Sequence, residues 1–270
     1  MAYVVNNYIP LPSPDNDPYN FVKGINDSGT ISGYTAAIGA EVAYTLSPTE
    51  TFSFPSNLDW TITVVGGITN NGTVVGLATE PDTVPFGFVD NNGVFTALPS
   101  GQYGSGLTGM NDAGEAVGLN LDAQRDTHPF LYNVATGAET PITIQDLSNV
   151  VVTGINDSGQ MVGYGFTSSG VQEGLFLDGK GGSELVAPPG AISTSPKGLN
   201  NAGQVVGDYI DSAGKTHGFL FDLATNAYTT LDVPSATSTV ATSINNTGQV
   251  VGYYTDAQSA HGFEALIAHT

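Results

Sequence analysis

The chain has 270 residues and a formal net charge of −20, from 25 acidic and 5 basic side chains. This balance argues against nucleic acid and anionic membranes as partners, because proteins bind both through Lys and Arg. There is no Cys, which excludes disulfides and thiolate chemistry. No apolar run approaches the roughly 18 residues that a membrane helix needs, so we expect no membrane insertion.

A six-residue phrase recurs along the whole chain. Its first copy reads Gly-Ile-Asn-Asp-Ser-Gly, and successive copies begin 43, 42, 45, 44 and 45 residues apart. The copies lie at 24–29, 67–72, 109–114, 154–159, 198–203 and 243–248, and another Gly follows each copy four residues later. A regular period in this range is typical of repeat architectures. No linker separates the repeats, so we expect a single domain over residues 1–270.

The fifth repeat predicts four short strands. A first strand ends at Asn200, and the turn at 200–203 has Asn first and Gly last, which is typical of a type I turn closed by a Gly bulge. Residues 204–210, 217–221 and 228–233 are rich in β-branched and aromatic residues and are separated by further turns. Four antiparallel strands in about 44 residues predict a propeller blade, so the fold class is all-β, a six-bladed β-propeller.

The two ends of the chain predict how the ring closes. The last repeat has three strands, and residues 7–12 resemble the fourth strands at 94–99 and 227–234. We therefore expect the N-terminal strand to complete the last blade, which leaves no exposed edge in the ring; an open solenoid is the alternative. The predicted blades cover approximately residues 18–58, 59–100, 101–147, 148–190, 191–234, and 235–270 together with 1–14.

Two motifs together resemble the HAF repeats of extracellular bacterial proteins. The first is the turn phrase with its following Val-Gly, as at 154–163, and the second is a later His-Gly-Phe, which is complete at His217 and His261. The Asn and Gly spacing extends over all six repeats, whereas the His motif is altered at His128 and lacks its His in repeats 1, 2 and 4. The resemblance implies an extracellular setting, although the chain as given begins without the pattern of a signal peptide. It implies no catalytic residue.

Several repeated features have a structural and a functional interpretation. Each Asn/Asp turn supplies at most one carboxylate, too few for calcium, which favours plain turn chemistry. The Gly inside each second strand favours close packing or a bend over ligand approach. His128, His217 and His261 open equivalent third strands and are candidate ligand-binding residues, with a bond to a neighbouring loop as the structural alternative. Because blades are arranged around a ring, convergence of these His on one zinc ion is disfavoured. We expect no metal and no cofactor.

The loops before the inner strands vary most between repeats, and variable loops on a constant scaffold are where function is grafted. Trp60, Tyr19 and Tyr103 are candidate ligand-binding residues that can stack on sugar rings; packing inside the ring is the alternative. Asp17 and Asp59 lie in the same loops. They can accept hydrogen bonds from hydroxyls or serve as the acid and base of glycoside cleavage.

Asp208 is an exception at a repeated strand position. The equivalent residues are Tyr34, Leu77, Leu119, Tyr164 and Tyr253. A carboxylate at this position is either outward-facing or functional, so Asp208 joins Asp17 and Asp59 as a catalytic candidate.

These patterns favour an extracellular binding module for a carbohydrate or another cell-surface polymer, which binds at the loop face that carries Trp60. One alternative is a glycan-acting hydrolase or lyase that uses carboxylates at the channel mouth. Another is a scaffold that binds a protein through its polar rim and negative charge. The expected partners are therefore a carbohydrate or other neutral polymer, or a cationic protein, and the oligomeric state is left open.

Overall fold

A computed structural model of the chain describes residues 3–14, 17–37, 40–53, 62–80, 82–99 and 101–269, and within these ranges it contains 24 β-strands and no α-helix. The first three blades comprise β2 (Asn20–Ile25), β3 (Ile31–Ala37), β4 (Ala40–Leu46) and β5 (Phe52–Ser53); β6 (Ile62–Ile68), β7 (Val74–Thr79), β8 (Phe86–Asn91) and β9 (Val94–Ala97); and β10 (Ser105–Met110), β11 (Glu115–Leu121), β12 (Thr127–Asn133) and β13 (Ala138–Pro141). The last three comprise β14 (Ser148–Ile155), β15 (Met161–Phe166), β16 (Gln172–Leu177) and β17 (Ser183–Val186); β18 (Ala191–Leu199), β19 (Gln204–Asp211), β20 (Thr216–Asp222) and β21 (Ala227–Leu231); and β22 (Ser238–Ile244), β23 (Gln249–Thr255), β24 (Ala260–His269) and β1 (Tyr3–Pro10).

The strands form six antiparallel blades in a ring, which confirms the predicted six-bladed propeller. The first strands β2, β6, β10, β14, β18 and β22 contact one another in this order, and β22 contacts β2 again, so they surround a central channel. Blade 1 departs from the regular pattern. Its fourth strand has two residues, and a single parallel bridge between Glu41 and Ile62 joins it to blade 2.

The N-terminal strand closes the ring as predicted. β1 pairs antiparallel with β24, in a register that runs from Tyr3 opposite His269 to Pro10 opposite Phe263. The backbone N–H of Leu11 extends this pairing by donating to the Gly262 carbonyl at 3.0 Å. The sixth blade therefore contains both ends of the chain, and its outer edge is held by the N-terminal segment.

Hydrogen bonds between the repeated turns close the ring a second time. The backbone N–H of the phrase's fourth residue donates to the side-chain Oδ1 of the same position in the next blade, over 2.7 to 3.0 Å. These six residues, which we call the turn ring, are Asp27, Asn70, Asp112, Asp157, Asn201 and Asn246. Burial by itself would raise the pKa of Asp27, but hydrogen bonds from Asn246 and Asn70 hold it below its usual range.

The preceding Asn of the phrase also links neighbouring blades. In five blades its Nδ2 donates to the carbonyl of the equivalent residue in the next blade, as from Asn245 to Asn26 at 3.0 Å. Thr69 stands at this position in blade 2 and bonds within its own turn instead. The Asn is therefore a turn residue, as predicted, and additionally an inter-blade contact.

The Gly inside each second strand is needed for packing, which agrees with the structural interpretation of this position. A β-carbon on Gly207 would lie 2.7 Å from Pro196 Cα and 2.8 Å from Phe219 Cε1. A β-carbon on Gly252 would lie 2.9 Å from Phe263 Cε1. Phe219 and Phe263 are the Phe residues of the two His-Gly-Phe motifs and are fully buried between blades. The Gly of the second strand and the Phe of the His-Gly-Phe motif thus contact each other.

Candidate functional site

One residue of each second strand directly follows the Gly just described. We call these six residues the collar; all are partly buried, and they are Tyr34, Leu77, Leu119, Tyr164, Asp208 and Tyr253. The charges of Lys197 and Asp208, on blade 5, act on Lys23, on blade 1, although blade 6 lies between. Side chains of two blades that are separated by a third approach one another only near the central axis of the propeller. The polar part of the collar therefore faces the channel.

Two of the chain's five basic residues lie in this channel. Lys23 and Lys197 occupy the same position in β2 and β18, directly before the Gly of the turn phrase. Lys197 Nζ donates to Ser195 Oγ at 2.8 Å and forms an ion pair with Asp208 at 3.6 Å. Both lysines line a cavity of about 110 Å³ that extends to the turn ring. The lysines thus lie between the collar and the turn ring.

The aromatic collar residues contact these lysines through their rings. Lys23 Nζ lies 5.6 Å from the ring centroid of Tyr34, and Lys197 Nζ lies 5.5 Å from that of Tyr164. Both distances are within the range of cation–π attraction. Phe21 stacks on Tyr34 at 5.2 Å and contacts Tyr253 edge to face at the same centroid distance. The tyrosine rings are thereby fixed in position on blades 1, 4 and 6.

The polar ends of the collar have few protein partners. In the part of the chain that the structure describes, the hydroxyls of Tyr34, Tyr164 and Tyr253 make no hydrogen bond to protein. Burial raises the pKa of all three, that of Tyr253 to about 12, with Asp208 adding to the effect on Tyr164 and Tyr253. The hydroxyls therefore remain protonated at neutral pH and can donate hydrogen bonds to a ligand.

The two charged groups at the centre are both perturbed by burial. Burial raises the pKa of Asp208, against the opposing effect of Lys197 and Lys23. Burial and, to a smaller extent, repulsion by Lys197 lower the pKa of Lys23 to about 8, against the opposing effects of Glu41 and Asp208. Strongly perturbed titratable groups in one cleft are typical of functional sites. Asp208 is thus directed at the channel rather than outward.

Blades 2 and 3 make the other side of the collar apolar, through Leu77 and Leu119. The collar thus has polar residues on blades 4, 5, 6 and 1 and apolar residues on blades 2 and 3, where Leu77 packs against Gly106 of β10. A largely apolar surface with a few convergent polar groups is the usual composition of a small-molecule site. Chemically, the site offers hydroxyl donors, amines and one carboxyl group.

The predicted loop residues lie in the segments that lead into the first strands, and the Tyr19 carbonyl accepts the N–H of Ala36 on the strand that carries Tyr34. Asp17 Oδ1 accepts the backbone N–H of Tyr19 at 2.8 Å and so shapes the entry to β2. Tyr19 is 45% exposed and bridges to Ala260, which brings this loop next to the start of β24, where His261 lies. Tyr103 is 37% exposed in the loop before β10. Their role in ligand binding stays a prediction.

The remaining loop candidates, Asp59 and Trp60, lie outside the described residues.

The three predicted His are separated, each on its own blade. Each bonds to the Asp that begins the loop between the second and third strands, and the pairs are His128–Asp122 at 2.9 Å, His217–Asp211 at 3.2 Å and His261–Asp256 at 3.0 Å. His217 also bonds to Asp232 at 2.7 Å. These contacts fit the structural alternative of a bond to a loop. Across the described ranges, no group of three His, Asp or Glu side chains is arranged to hold a metal.

His128 also lines a second concave surface, a cleft of about 330 Å³ between blades 3 and 4. Apolar side chains such as Ile142, Ile144 and Leu147 form much of its wall. Its polar groups already have partners, since His128 bonds to Asp122 and Asn149 Oδ1 accepts the Thr127 N–H at 3.0 Å. The collar is the better ligand site because its hydroxyls lack such partners.

Sequence reasoning singled out Asp208 as a candidate but did not connect it with Lys23, Lys197 or the three tyrosines. An alignment of the six repeats does mark the two lysines as unusual. The positions equivalent to the two lysines are occupied by Gly66, Thr108, Thr153 and Thr242. A charged residue at two of six equivalent inner-strand positions indicates an asymmetric channel.

Comparison with known proteins shows the fold and leaves the function open. No protein-family model matches the chain, and no curated protein matches it either. Among solved structures it is similar to TolB from Acinetobacter baumannii, with a TM-score of 0.65, 12% identity and 81% of this chain covered, and the chain spans only 55% of that protein. A putative TolB from Agrobacterium tumefaciens gives a TM-score of 0.62 at 12% identity, covering 94% of this chain and 91% of that one. The SapL1 lectin in complex with alpha methyl fucoside gives 0.62 at 10% identity, covering 94% and 96%.

The described segments include no helix with the length and apolar character needed to cross a bilayer.

Proposed function

We propose that the protein is an extracellular carbohydrate-binding module whose ligand enters the central channel and contacts the collar. One observation carries this proposal: three tyrosyl hydroxyls beside Asp208 have no hydrogen-bond partner in the described protein. None of these hydroxyls is among the fully buried polar atoms that lack a partner, so water reaches each of them and a ligand can replace that water. A ligand with many hydroxyls can supply the missing partners.

The pattern of the collar supports a sugar as the ligand. A pyranose has hydroxyls around its edge and apolar C–H groups on its faces. The Tyr hydroxyls and Lys197 can donate to sugar oxygens, Asp208 can accept from sugar hydroxyls, and Leu77 and Leu119 can cover an apolar face.

The charges near the collar do not favour a strongly charged ligand. Lys23 and Lys197 are opposed by Asp208 and by Glu41, whose carboxylate acts on Lys23 and Tyr34. Two cations and two carboxylates leave little net charge on the polar side of the collar. A neutral polar ligand is therefore the class that this side fits.

The extracellular setting is part of the proposal and is supported by the resemblance to HAF repeats. The loop residues Tyr19 and Tyr103 are exposed enough to extend the contact to a longer saccharide. Cell fractionation with an antibody against the chain tests the location separately from the binding activity.

A glycan array followed by calorimetric titration of the best saccharide tests the proposed function. We expect saturable binding, and we expect Asp208→Asn and Tyr253→Phe each to weaken it about 5- to 30-fold, which corresponds to the roughly 1–2 kcal/mol of a lost hydrogen bond. Tyr254→Phe is the matched control, because Tyr254 is the next residue of β23, points to the other face and lies 5.1 Å from the His261 ring. Silence across the array, or binding that Asp208→Asn leaves unchanged, contradicts the proposal.

A second candidate, a glycan-acting hydrolase or lyase, has one observation in its favour. Burial raises the pKa of Asp208, and a carboxyl group with a raised pKa is suited to donate a proton to a leaving group. Chromatography of saccharides after long incubation distinguishes this candidate. New products that disappear with Asp208→Asn would establish cleavage, and intact saccharide would leave binding alone.

A further inference from the structure

Of the two lysines that line the channel, Lys23 is the one whose amine has no polar partner. Among the described residues, its Nζ makes no ion pair and no hydrogen bond, and its contact is the Tyr34 ring at 5.6 Å. In contrast, Lys197 bonds to Ser195 and Asp208, and Lys215 forms an ion pair with Asp232 at 3.6 Å. Lys23 is thus an unpaired amine in a channel that small molecules can enter.

The surroundings of Lys23 favour its neutral form. Burial lowers its pKa to about 8, and the Lys197 ammonium contributes in the same direction. The carboxylates of Glu41 and Asp208 favour the ammonium, but their effect is smaller. Desolvation and a neighbouring cation are the two ways in which proteins activate a lysine as a nucleophile.

We infer that Lys23 is a reactive amine that forms a Schiff base with small aldehydes that enter the channel. The inference adds a covalent reactivity to the channel and does not depend on the proposed carbohydrate binding. The site has room beside the amine, because Lys23 lines the cavity of about 110 Å³ above the turn ring. The inference rests on an unpaired amine carried by a residue that lines this cavity.

The reaction balances without any further reagent. The Nζ lone pair forms a bond to the aldehyde carbon, the carbonyl π pair moves to oxygen, and one proton passes from nitrogen to that oxygen to give a carbinolamine. A second proton converts the hydroxyl into a leaving water, and loss of the remaining N–H proton leaves the C=N bond. Asp208, whose charge acts on Lys23 and whose pKa is raised by burial, can exchange these protons through water in the channel. Water reverses the sequence.

Reductive trapping on the full chain tests the inference. The protein is incubated with glycolaldehyde and sodium cyanoborohydride at pH 7, and labelling of the four lysines is followed over time by peptide mass spectrometry. Lys180, which is exposed in a turn of blade 4, is the internal control. We expect Lys23 to be labelled about 10-fold faster than Lys180, because a pKa near 8 gives a far larger neutral fraction at pH 7 than the ordinary value. Equal or slower labelling of Lys23 overturns the inference.

A second variant separates activation from simple access. Lys197→Met removes the neighbouring cation, so we expect labelling of Lys23 at pH 7 to slow several-fold, while Lys215→Met leaves it unchanged. If Lys197→Met leaves the labelling rate of Lys23 unchanged, as the control Lys215→Met should, the proposed activation of Lys23 is wrong. Binding of non-reducing saccharides has no aldehyde step, so its outcome distinguishes failure of this inference from failure of the proposed function.

Discussion

Replacing Lys23 with Met should stabilise the fold at neutral pH. The pKa of Lys23 falls from its ordinary 10.5 to about 8 on folding. Each tenfold change in the ionisation equilibrium corresponds to about 1.4 kcal/mol, so the penalty has an upper bound of about 3 kcal/mol. Water in the channel screens part of this penalty, so we expect a gain of about 1–2 kcal/mol for Lys23→Met at pH 7. Met keeps much of the length of the side chain and removes its charge.

The pH dependence gives this prediction its sign. A base with a lowered pKa in the folded state binds fewer protons there than in the unfolded chain, so the wild type becomes more stable as pH rises from about 8 to 10.5. The advantage of Lys23→Met should therefore be full at pH 7 and largely lost near pH 10. Urea denaturation at both pH values measures it without adding salt. Lys180→Met, at an exposed position, should change little at either pH. A Lys23→Met variant that is less stable than wild type at pH 7 refutes the reasoning.

Four further substitutions, of which Gly214→Ala is a control, test the fold and the collar. Asn245→Ala removes an inter-blade hydrogen bond of 3.0 Å together with its turn bonds and should cost about 1–3 kcal/mol in urea denaturation; an unchanged midpoint contradicts this role. Gly207→Ala should prevent folding or lower the melting temperature strongly, because its β-carbon would meet backbone at 2.7 Å. Gly214→Ala, in open space at a φ of 82°, should cost only about 1 kcal/mol; similar losses for both would contradict the packing argument. Asp208→Asn should stabilise the protein at pH 7, because burial raises the pKa of that carboxyl and so disfavours its charged form. The stability difference should vanish in acid, where Asp208 is protonated in both states; a destabilised variant at pH 7 would be the opposite result.

The fold was predictable because its main determinants are local. The Asn and Gly of each turn follow from turn chemistry, and the period of about 44 residues follows from counting strands. The turn ring was not predictable, because the bond from Asp27 to Asn70 joins residues 43 positions apart. Such a bond depends on how blades are placed around the axis, which no local pattern specifies.

The site was predictable only in part for the same reason. Asp208 is conspicuous in sequence because Tyr or Leu occupies every equivalent position. Lys23 stands out only when the repeats are aligned, and Tyr34 looks like an ordinary strand residue. Only the ring brings them towards Asp208, which is more than 170 residues away in the chain. The aromatic loop residues Tyr19 and Tyr103 are exceptional only in composition and exposure, and their role in binding stays a prediction.

A crystal structure with the best saccharide from the array tests the central claim most directly. The account predicts electron density for the sugar inside the central channel, within hydrogen-bond distance of Asp208 and of at least one of the hydroxyls of Tyr34, Tyr164 and Tyr253. Density at an outer position instead, such as the cleft beside His128 or the loop of Tyr103, with the channel holding only water, would contradict it.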